Sequence, residues 1–269
     1  MLKDITFGQY FEGNSFVHRL DPRNKILLLI ATIVLIFIGS NFYALSIAAA
    51  LILSVMIFSR IPLRMYLKNL KAVLPIIIFT GIINLFYAAE GTAIFIFWKL
   101  TITTGGVYRS VYMASRIILL ILVSAVLTYT TTPNDLTDAI ESLLSPLKYV
   151  GLRSAVHTLA MMMTIALRFI PTLVEETQKI MNAQKARGVD FENGTLGERI
   201  KALIPILIPL LISSVRRAYE LAEAMECRCY NGGEGRVRMK QLTFSWRDAV
   251  AAGVIIILAV AVIVVNILL

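Results

Sequence analysis

Long uninterrupted apolar runs constrain this chain more than any other feature of its sequence. Five of them stand out, and they cover residues 26–38, 42–58, 72–89, 107–129 and 249–269. Hydrophobic residues make up 58% of the chain, well above the roughly 45–50% of a soluble domain. Runs of this kind indicate a bilayer as the solvent. We therefore predict an all-α polytopic membrane protein with about five transmembrane helices.

Basic residues cluster in particular segments between the runs. Four precede the first run, four lie in residues 59–71, and fifteen lie in residues 130–247. Cytoplasmic loops of membrane proteins carry an excess of Lys and Arg, so this pattern predicts a cytosolic N-terminus and an external C-terminus. Residues 130–247 also carry twelve acids. This near balance disfavours nucleic acid as the partner of a basic surface.

The predicted domain organisation has three parts. Residues 1–129 form an N-terminal membrane domain of about four spans, and residues 248–269 form a C-terminal transmembrane helix. Between them, residues 130–247 are too charged for further spans and are predicted to form a cytosolic coupling domain of amphipathic helices. Its helices are expected from Thr132 to about Leu144, over 153–170 with a break or kink at Pro171 and then on to Gly188, and from Leu196 to Cys229.

Two of these predicted helices end in a similar way. Arg187 lies between Ala186 and Gly188, and Arg228 lies between Cys227 and Cys229. Small neighbours allow a guanidinium to approach a partner closely, and Arg binds carboxylates through a rigid fork of donors. The alternative is ordinary stabilisation of a helix C-terminus by a cation. The residues alone leave both interpretations open.

Three consecutive methionines, Met161, Met162 and Met163, cover most sides of the helix predicted over 153–170. Methionine is flexible and recurs on surfaces that accommodate several partners, although it also fills ordinary cores. The two cysteines, Cys227 and Cys229, are interpreted as reduced thiols, since residues two apart on a helix do not face each other.

No catalytic or cofactor motif is recognisable. The sequence contains no G-x-x-x-x-G-K-[ST] nucleotide-binding loop, no cluster of metal ligands and no catalytic triad pattern. We therefore expect a non-enzymatic chain that binds no metal and no cofactor itself. A membrane enzyme is a weaker alternative, because Asp135 and Asp138, its nearest candidates, are explained as helix N-terminal acids. A conventional ABC permease and a pure scaffold also remain possible interpretations.

Several short motifs, in order and spacing, resemble one family over essentially the whole chain: the transmembrane T component of prokaryotic energy-coupling factor transporters. The matching segments are Leu20-Asp21-Pro22-Arg23-Asn24-Lys25, Arg168-Phe169-Ile170-Pro171 leading to Glu175, Lys185-Ala186-Arg187-Gly188, and Ala224-Met225-Glu226-Cys227-Arg228-Cys229-Tyr230. One departure concerns the last motif, which reads Cys-Arg-Cys where Ala-Arg-Gly or Ala-Arg-Cys is more typical.

The resemblance implies a coupling subunit in the prokaryotic plasma membrane. Together with its partners, this subunit would import a vitamin or a transition metal. These partners are two cytosolic ABC ATPases, which bind the ATP, and a membrane-embedded S component, which captures the substrate. In this family the two short motifs dock the ATPases, a role that falls here on Arg187 and Arg228 with their neighbours. We further expect Met161, Met162 and Met163 to contact the S component. A dedicated cobalt or nickel transporter is the alternative within the family.

Overall fold

The computed structural model describes residues 10–87, 92–97, 100–146, 153–189, 191, 195–231 and 243–268. Within them lie eight helices and one hairpin. The elements are α1 (Pro22–Ile38), α2 (Phe42–Ser59), α3 (Leu63–Tyr87), β1 (Ala93–Phe97), β2 (Leu100–Thr103), α4 (Thr104–Thr130), α5 (Pro133–Leu143), α6 (Arg153–Ala186), α7 (Leu196–Glu226) and α8 (Trp246–Leu268). The predicted all-α membrane class is confirmed, with a small antiparallel hairpin of β1 and β2 added to it.

Five helices are long and apolar enough to cross a bilayer, namely α2 to α4, α6 and α8. The predicted number of helices able to span the membrane is therefore confirmed, but the five helices are not all the ones predicted. Helix α1 has 17 residues, about 26 Å at 1.5 Å per residue, which is short of the roughly 30 Å hydrocarbon core. In contrast, Ala155–Ala186 qualifies by length and composition. Residues 130–247 were predicted to be too charged for further spans, yet α6 is apolar enough by composition, because its charges gather in its second half. The cytosolic location of this segment stays a prediction.

Two further helix bounds differ from the predicted ones. Helix α3 begins at Leu63, so most of the expected basic loop 59–71 is helical, and Arg64, Lys68 and Lys71 share one face at helical spacing. Helix α6 continues through Pro171, so the predicted break at this residue is wrong, and the alternative of a kink stays a prediction. A proline inside a helix removes one backbone hydrogen bond and crowds the carbonyl four residues earlier, but the neighbouring turns hold the helix together.

The chain divides into two compact units. The larger unit comprises Gly8–Ala139 and Lys240–Leu269, so α8 packs with the N-terminal helices. Its core is apolar and includes Ile36, Ile52 and Val126. Its outward side chains are also apolar: Ile76 is 60% exposed and Ile257 is 69% exposed. Apolar residues on both the inside and the outside are what a helical bundle in lipid requires.

The smaller unit comprises Met1–Phe7 and Ile140–Met239, and its described part is dominated by α6 and α7. These two helices run antiparallel. Gln184 Nε2 donates to the Pro205 carbonyl at 3.4 Å, whereas Glu176, earlier on α6, accepts from Ser213, later on α7. The unit therefore holds its two longest helices as an antiparallel pair.

Candidate docking site

An ion pair joins α6 and α7 at Glu176 and Arg217, and we call this contact the crossing. The Glu176 carboxylate accepts a hydrogen bond from Arg217 Nη2 at 2.7 Å and a second bond from the Ser213 hydroxyl. Both charged side chains are largely shielded, at 22% and 35% exposed. A charge-assisted bond of this kind is shorter and stronger than a neutral one. It sets the register of the two helices at positions that are 41 residues apart in the chain.

After Glu176 and Arg217 each helix continues for about three turns to its C-terminus, and on α6 this part also contacts α7 through Gln184. We call residues 179–189 the first arm and residues 220–230 the second arm. Neither arm contains proline, since Pro171, Pro205 and Pro209 all lie before the crossing on their own helices. Measured along its helix, each arginine lies about 16 Å beyond the residue of the ion pair, Glu176 for Arg187 and Arg217 for Arg228. Because the helices are antiparallel, Arg187 and Arg228 lie up to about 33 Å apart.

The first arm ends in a left-handed turn. Gly188 has φ +89°, a conformation open to glycine at little cost. The Val189 N–H bonds the Gln184 carbonyl at 3.1 Å, and the Gly188 N–H bonds the Lys185 carbonyl at 3.0 Å. The bond from Val189 to Gln184 is the one that defines a Schellman ending. This turn places Arg187 at the last position before the chain leaves the helix.

The second arm ends in the same way. Each of its residues lies 41 positions after the equivalent residue of the first arm, which is also the separation of Glu176 and Arg217. The Tyr230 N–H bonds the Met225 carbonyl at 3.1 Å, and the Cys229 N–H bonds the Glu226 carbonyl at 2.9 Å. Cys229 takes the position of Gly188 and has φ 56°. Non-glycine residues rarely adopt this conformation, which costs about 1–2 kcal/mol. Arg228 therefore occupies the same structural position on α7 as Arg187 does on α6.

Both arginines and all four of their neighbours are exposed: Ala186, Arg187, Gly188, Cys227, Arg228 and Cys229. Within the described residues, neither guanidinium has a hydrogen bond or an ion pair. The two cysteines are free thiols. Backbone N–H groups bond several of the carbonyls that end each helix, so neither guanidinium is occupied in bonding them. The geometry thus leaves both guanidinium groups available to an acceptor on another chain.

The three methionines lie on α6, before its crossing with α7. Met162 is 55% exposed and Met163 is 42% exposed, whereas Met161 is half-buried. Nearby Ala160 is buried. Two of the three side chains therefore lie on the surface of the unit and do not fill its core.

A polar cluster in the larger unit involves the Leu20–Lys25 motif, and sequence reasoning assigned it no structural role. Asp248, fully buried at the start of α8, accepts from the Asp21 N–H at 2.8 Å and from the Ser245 N–H at 2.8 Å. Asn24 Nδ2 donates to the Asp248 carbonyl at 3.0 Å. Lys25 Nζ donates to the Thr130 carbonyl at 2.8 Å. The motif thus ties α1 to α8 and to the end of α4.

His18, just before this motif, is held as a neutral ring. Burial lowers its pKa, although a hydrogen bond with the Phe11 carbonyl, 2.9 Å from Nε2, acts in the opposite direction. The Ser15 hydroxyl lies 2.6 Å from Nδ1. With Nε2 donating to the carbonyl, Nδ1 is left to accept from the hydroxyl. The ring therefore closes the segment before α1 without adding a charge to it.

Comparison with known proteins covers both units. The model of a family described as cobalt transport protein, CbiQ, matches residues 13–239. The chain is 49% identical over 257 residues to the energy-coupling factor transporter transmembrane protein EcfT of Ruminiclostridium cellulolyticum, covering 96% of this chain and 95% of that protein. The identically named proteins of Brevibacillus brevis and Bacillus subtilis are 47% and 41% identical, over 97% and 96% of this chain and 98% and 97% of their own lengths.

Proposed function

This chain belongs to the family of energy-coupling factor transporter transmembrane proteins, and we propose from this premise that it couples two ABC ATPases to a membrane-embedded S component. One observation supports the proposal most strongly. Two helices end in the same left-handed turn, and each turn presents one exposed arginine. Two equivalent turns, each with one arginine, suit two similar partners, one at each arm. ATP is then bound by the partners and not by this chain.

The antiparallel helix pair provides a mechanical reason for this role. The ion pair between Glu176 and Arg217 fixes the two helices to each other at the crossing. A displacement applied by an ATPase to one arm is transmitted to the other helix through that contact. Because packed helices move as rigid elements, a change in the distance between the two ATPases changes the crossing angle. The angle change then acts on any partner that packs against the first half of α6.

The S component is proposed to pack on that first half, where Met162 and Met163 are exposed. The flexible thioether side chains adapt to different partner surfaces at little cost. Replacing Met161, Met162 and Met163 together by Leu keeps the volume and removes this freedom. The expected result is intact ATPase binding with unequal loss of uptake among different S components. Equal loss for every S component, or loss of the ATPases, would contradict this contact.

The direct test of the proposed function is purification of the native complex in mild detergent, with each co-purifying chain identified by mass spectrometry. We expect two ATPase subunits and at least one small membrane protein that binds a vitamin. Recovery of the chain without any ATPase would contradict the proposal.

A dedicated cobalt or nickel transporter is the second candidate, and the description of the matching family model favours it. The same purification distinguishes the two candidate functions. In the second case a single S component, specific for a metal ion, accompanies every complex. In the first, several S components for different vitamins share the chain.

A further inference from the structure

The larger unit contains an apolar cavity among α1, α2, α4 and α8. Its volume is about 440 Å³, within the roughly 300–1,000 Å³ of ligand pockets. The wall extends from Lys25 to Thr32 on α1 and from Phe58 to Leu51 on α2, so the cavity is about 10 Å deep along the helices. All residues of the wall belong to the larger unit, whereas the docking arms belong to the smaller one.

The polar side chains of the wall are already hydrogen-bonded within the protein. Lys25 closes one end of the cavity, and its ammonium donates to two backbone carbonyls and to the Thr131 hydroxyl. The hydroxyls in the wall donate to backbone carbonyls one turn earlier on their own helices, at Thr32, Ser54 and Thr130. An occupant therefore meets apolar surface, which suits a hydrocarbon better than water or a polar ligand.

The cavity opens sideways between α2 and α8. Near their other ends these helices pack together, where Ala44 and Val262 are buried in one cluster. At the cavity, the exposed residues of the wall lie on α2, on α8 and in the segment before α1: Ser54, Phe58, Val250, Val254 and Phe16. An opening between two membrane-spanning helices faces lipid. Lipid is thus the molecule that reaches the cavity from the side.

An interfacial residue marks the level of this opening in the membrane. Trp246, the first residue of α8, is 69% exposed, and Val250 lies about one turn further along the helix. Tryptophan is enriched at the boundary between membrane and water. The cavity therefore extends from just inside that boundary towards the centre of the bilayer. This is the level at which the acyl chains of one leaflet lie.

The charged side chains around the opening are mostly basic. Within six residues of an exposed wall residue in the sequence, the charged side chains that are not buried are four arginines and one acid: Arg19, Arg60, Arg64, Arg247 and Glu12. Two other acids in these segments, Asp21 and Asp248, are buried and accept bonds from backbone N–H groups. Basic residues at a membrane surface attract anionic lipid headgroups.

We propose that the cavity holds one acyl chain of an anionic phospholipid, whose headgroup lies beside Arg19 and Arg60. The chain enters between α2 and α8 and fills the space that side chains fill at the other ends of these helices. A helix of a partner protein is too wide for this space, since a stretch as long as the cavity needs roughly 800 Å³. The inference does not depend on the docking of ATPases.

Photoactivatable lipids provide the test. The chain is purified in mild detergent with its partners and reconstituted into phosphatidylcholine vesicles. Two lipid probes carry the same diazirine on one acyl chain, one with a phosphatidylglycerol headgroup and the other with a phosphatidylcholine headgroup. After irradiation, mass spectrometry locates the labelled residues.

The position of the label separates a lipid inside the cavity from the lipid that surrounds the protein. We expect the phosphatidylglycerol probe to label Thr32, Leu51 and Val126, which line the cavity and are buried. The phosphatidylcholine probe should label them about tenfold less, because basic residues favour the anionic headgroup. Both probes should label Ile57 and Ile257 equally, since these exposed residues lie outside the wall.

A variant with a narrowed opening tests the entry of the chain. Val250→Phe with Val254→Phe should reduce labelling of the buried wall at least about fivefold, because larger side chains occupy the opening. The matched control is Ile256→Phe with Val260→Phe, which has the same spacing on the same helix at exposed positions outside the wall. It should leave the labelling unchanged. The thermal unfolding midpoint checks that both variants fold.

A second variant tests the headgroup and leaves the cavity intact. In Arg19→Gln with Arg60→Gln, both probes should still label the buried wall, but the preference for phosphatidylglycerol should fall at least about threefold. Both side chains are exposed, so this variant keeps the inference testable if the narrowed one does not fold.

Three results would overturn the inference. A buried wall without label, while Ile57 and Ile257 are labelled, would leave the cavity to a side chain of a partner protein. Equal labelling of the wall by both probes would exclude selection of an anionic headgroup. Unchanged labelling in a folded variant with the narrowed opening would exclude entry between α2 and α8.

Discussion

Gly188 illustrates how a single residue shapes the docking end. Its φ of +89° lies in the left-handed region, and a Cβ at this position would meet no atom within 4 Å. The cost of a side chain is therefore a backbone cost alone. A substitution at Gly188 therefore tests the left-handed backbone conformation alone, without a steric clash.

For Gly188→Ala we expect a loss of about 1 kcal/mol of folding free energy, because Ala is strained at positive φ. The measurement is the thermal unfolding midpoint in detergent. The matched control is Gly197→Ala, since Gly197 lies in the first turn of α7, also with no atom near its Cβ position and without positive φ. The control should be neutral or slightly stabilising. Equal effects of the two changes would contradict a left-handed turn at Gly188.

Cys229 offers the opposite experiment on the second arm. Its φ of 56° is unfavourable for a residue with a side chain, so Cys229→Gly should stabilise the protein by about 1 kcal/mol. Two residues earlier, Cys227 is in a right-handed conformation with φ −59°. There the change to Gly should instead cost about 0.5–1 kcal/mol. The thermal unfolding midpoint measures both changes. We predict that it rises for Cys229→Gly and falls for Cys227→Gly.

At the scale of elements, the buried Asp248 holds together helices that are far apart in sequence. It accepts bonds from the backbone of Asp21 and from the backbone of Ser245, at the starts of α1 and α8. Because the carboxylate is fully buried, its removal leaves these donors without a partner. An unsatisfied buried donor costs about 1–3 kcal/mol.

For Asp248→Ala we therefore expect a destabilisation of about 2–5 kcal/mol, measured as a lower midpoint of thermal aggregation in detergent. Glu198→Ala is the matched control. Its carboxylate bonds the Thr195 N–H at 2.8 Å at the start of α7, in the same role but exposed. This loss should be about 0.5–1 kcal/mol. Similar losses for the two variants would show that burial does not set the value of the bond.

The sequence predicted helices and their ends better than it predicted the contacts between them. Gly188 was identifiable because glycine after a helical stripe signals a left-handed cap. The motif comparison placed Cys229 at the position equivalent to Gly188, but its left-handed conformation was not identifiable, since cysteine carries no such preference. The bond between Asp248 and Asp21 joins positions that are far apart in the chain, and no local pattern encodes such pairs. The continuation of α6 through Pro171 depends on the whole helix and not on the proline.

At the scale of the whole molecule, orientation in the membrane remains a prediction from the distribution of Lys and Arg. We expect residues 130–247 to face the cytosol and the C-terminus to face outside. This arrangement requires the 17-residue helix α1 to cross together with α2, α3 and α4, with local thinning of the bilayer around it. The test replaces both native cysteines and introduces Gly232→Cys or Leu269→Cys, then applies an impermeant maleimide to intact cells. Position 269 should be labelled from outside, and position 232 only after lysis. Labelling of position 232 in intact cells would contradict this topology, and would point to α6 as an additional crossing.

The central claim is that Arg187 and Arg228 dock two ATPases, and co-purification of the double variant Arg187→Glu with Arg228→Glu tests it most directly. Breaking a buried charged pair costs about 3–5 kcal/mol, so each docked arm should lose at least about a hundredfold in affinity. The matched control is Arg199→Glu with Lys201→Glu, exposed basic residues at the start of α7. We predict that the double variant loses both ATPases and transport while the control keeps them. A double variant that retains both ATPases and still transports would contradict the account.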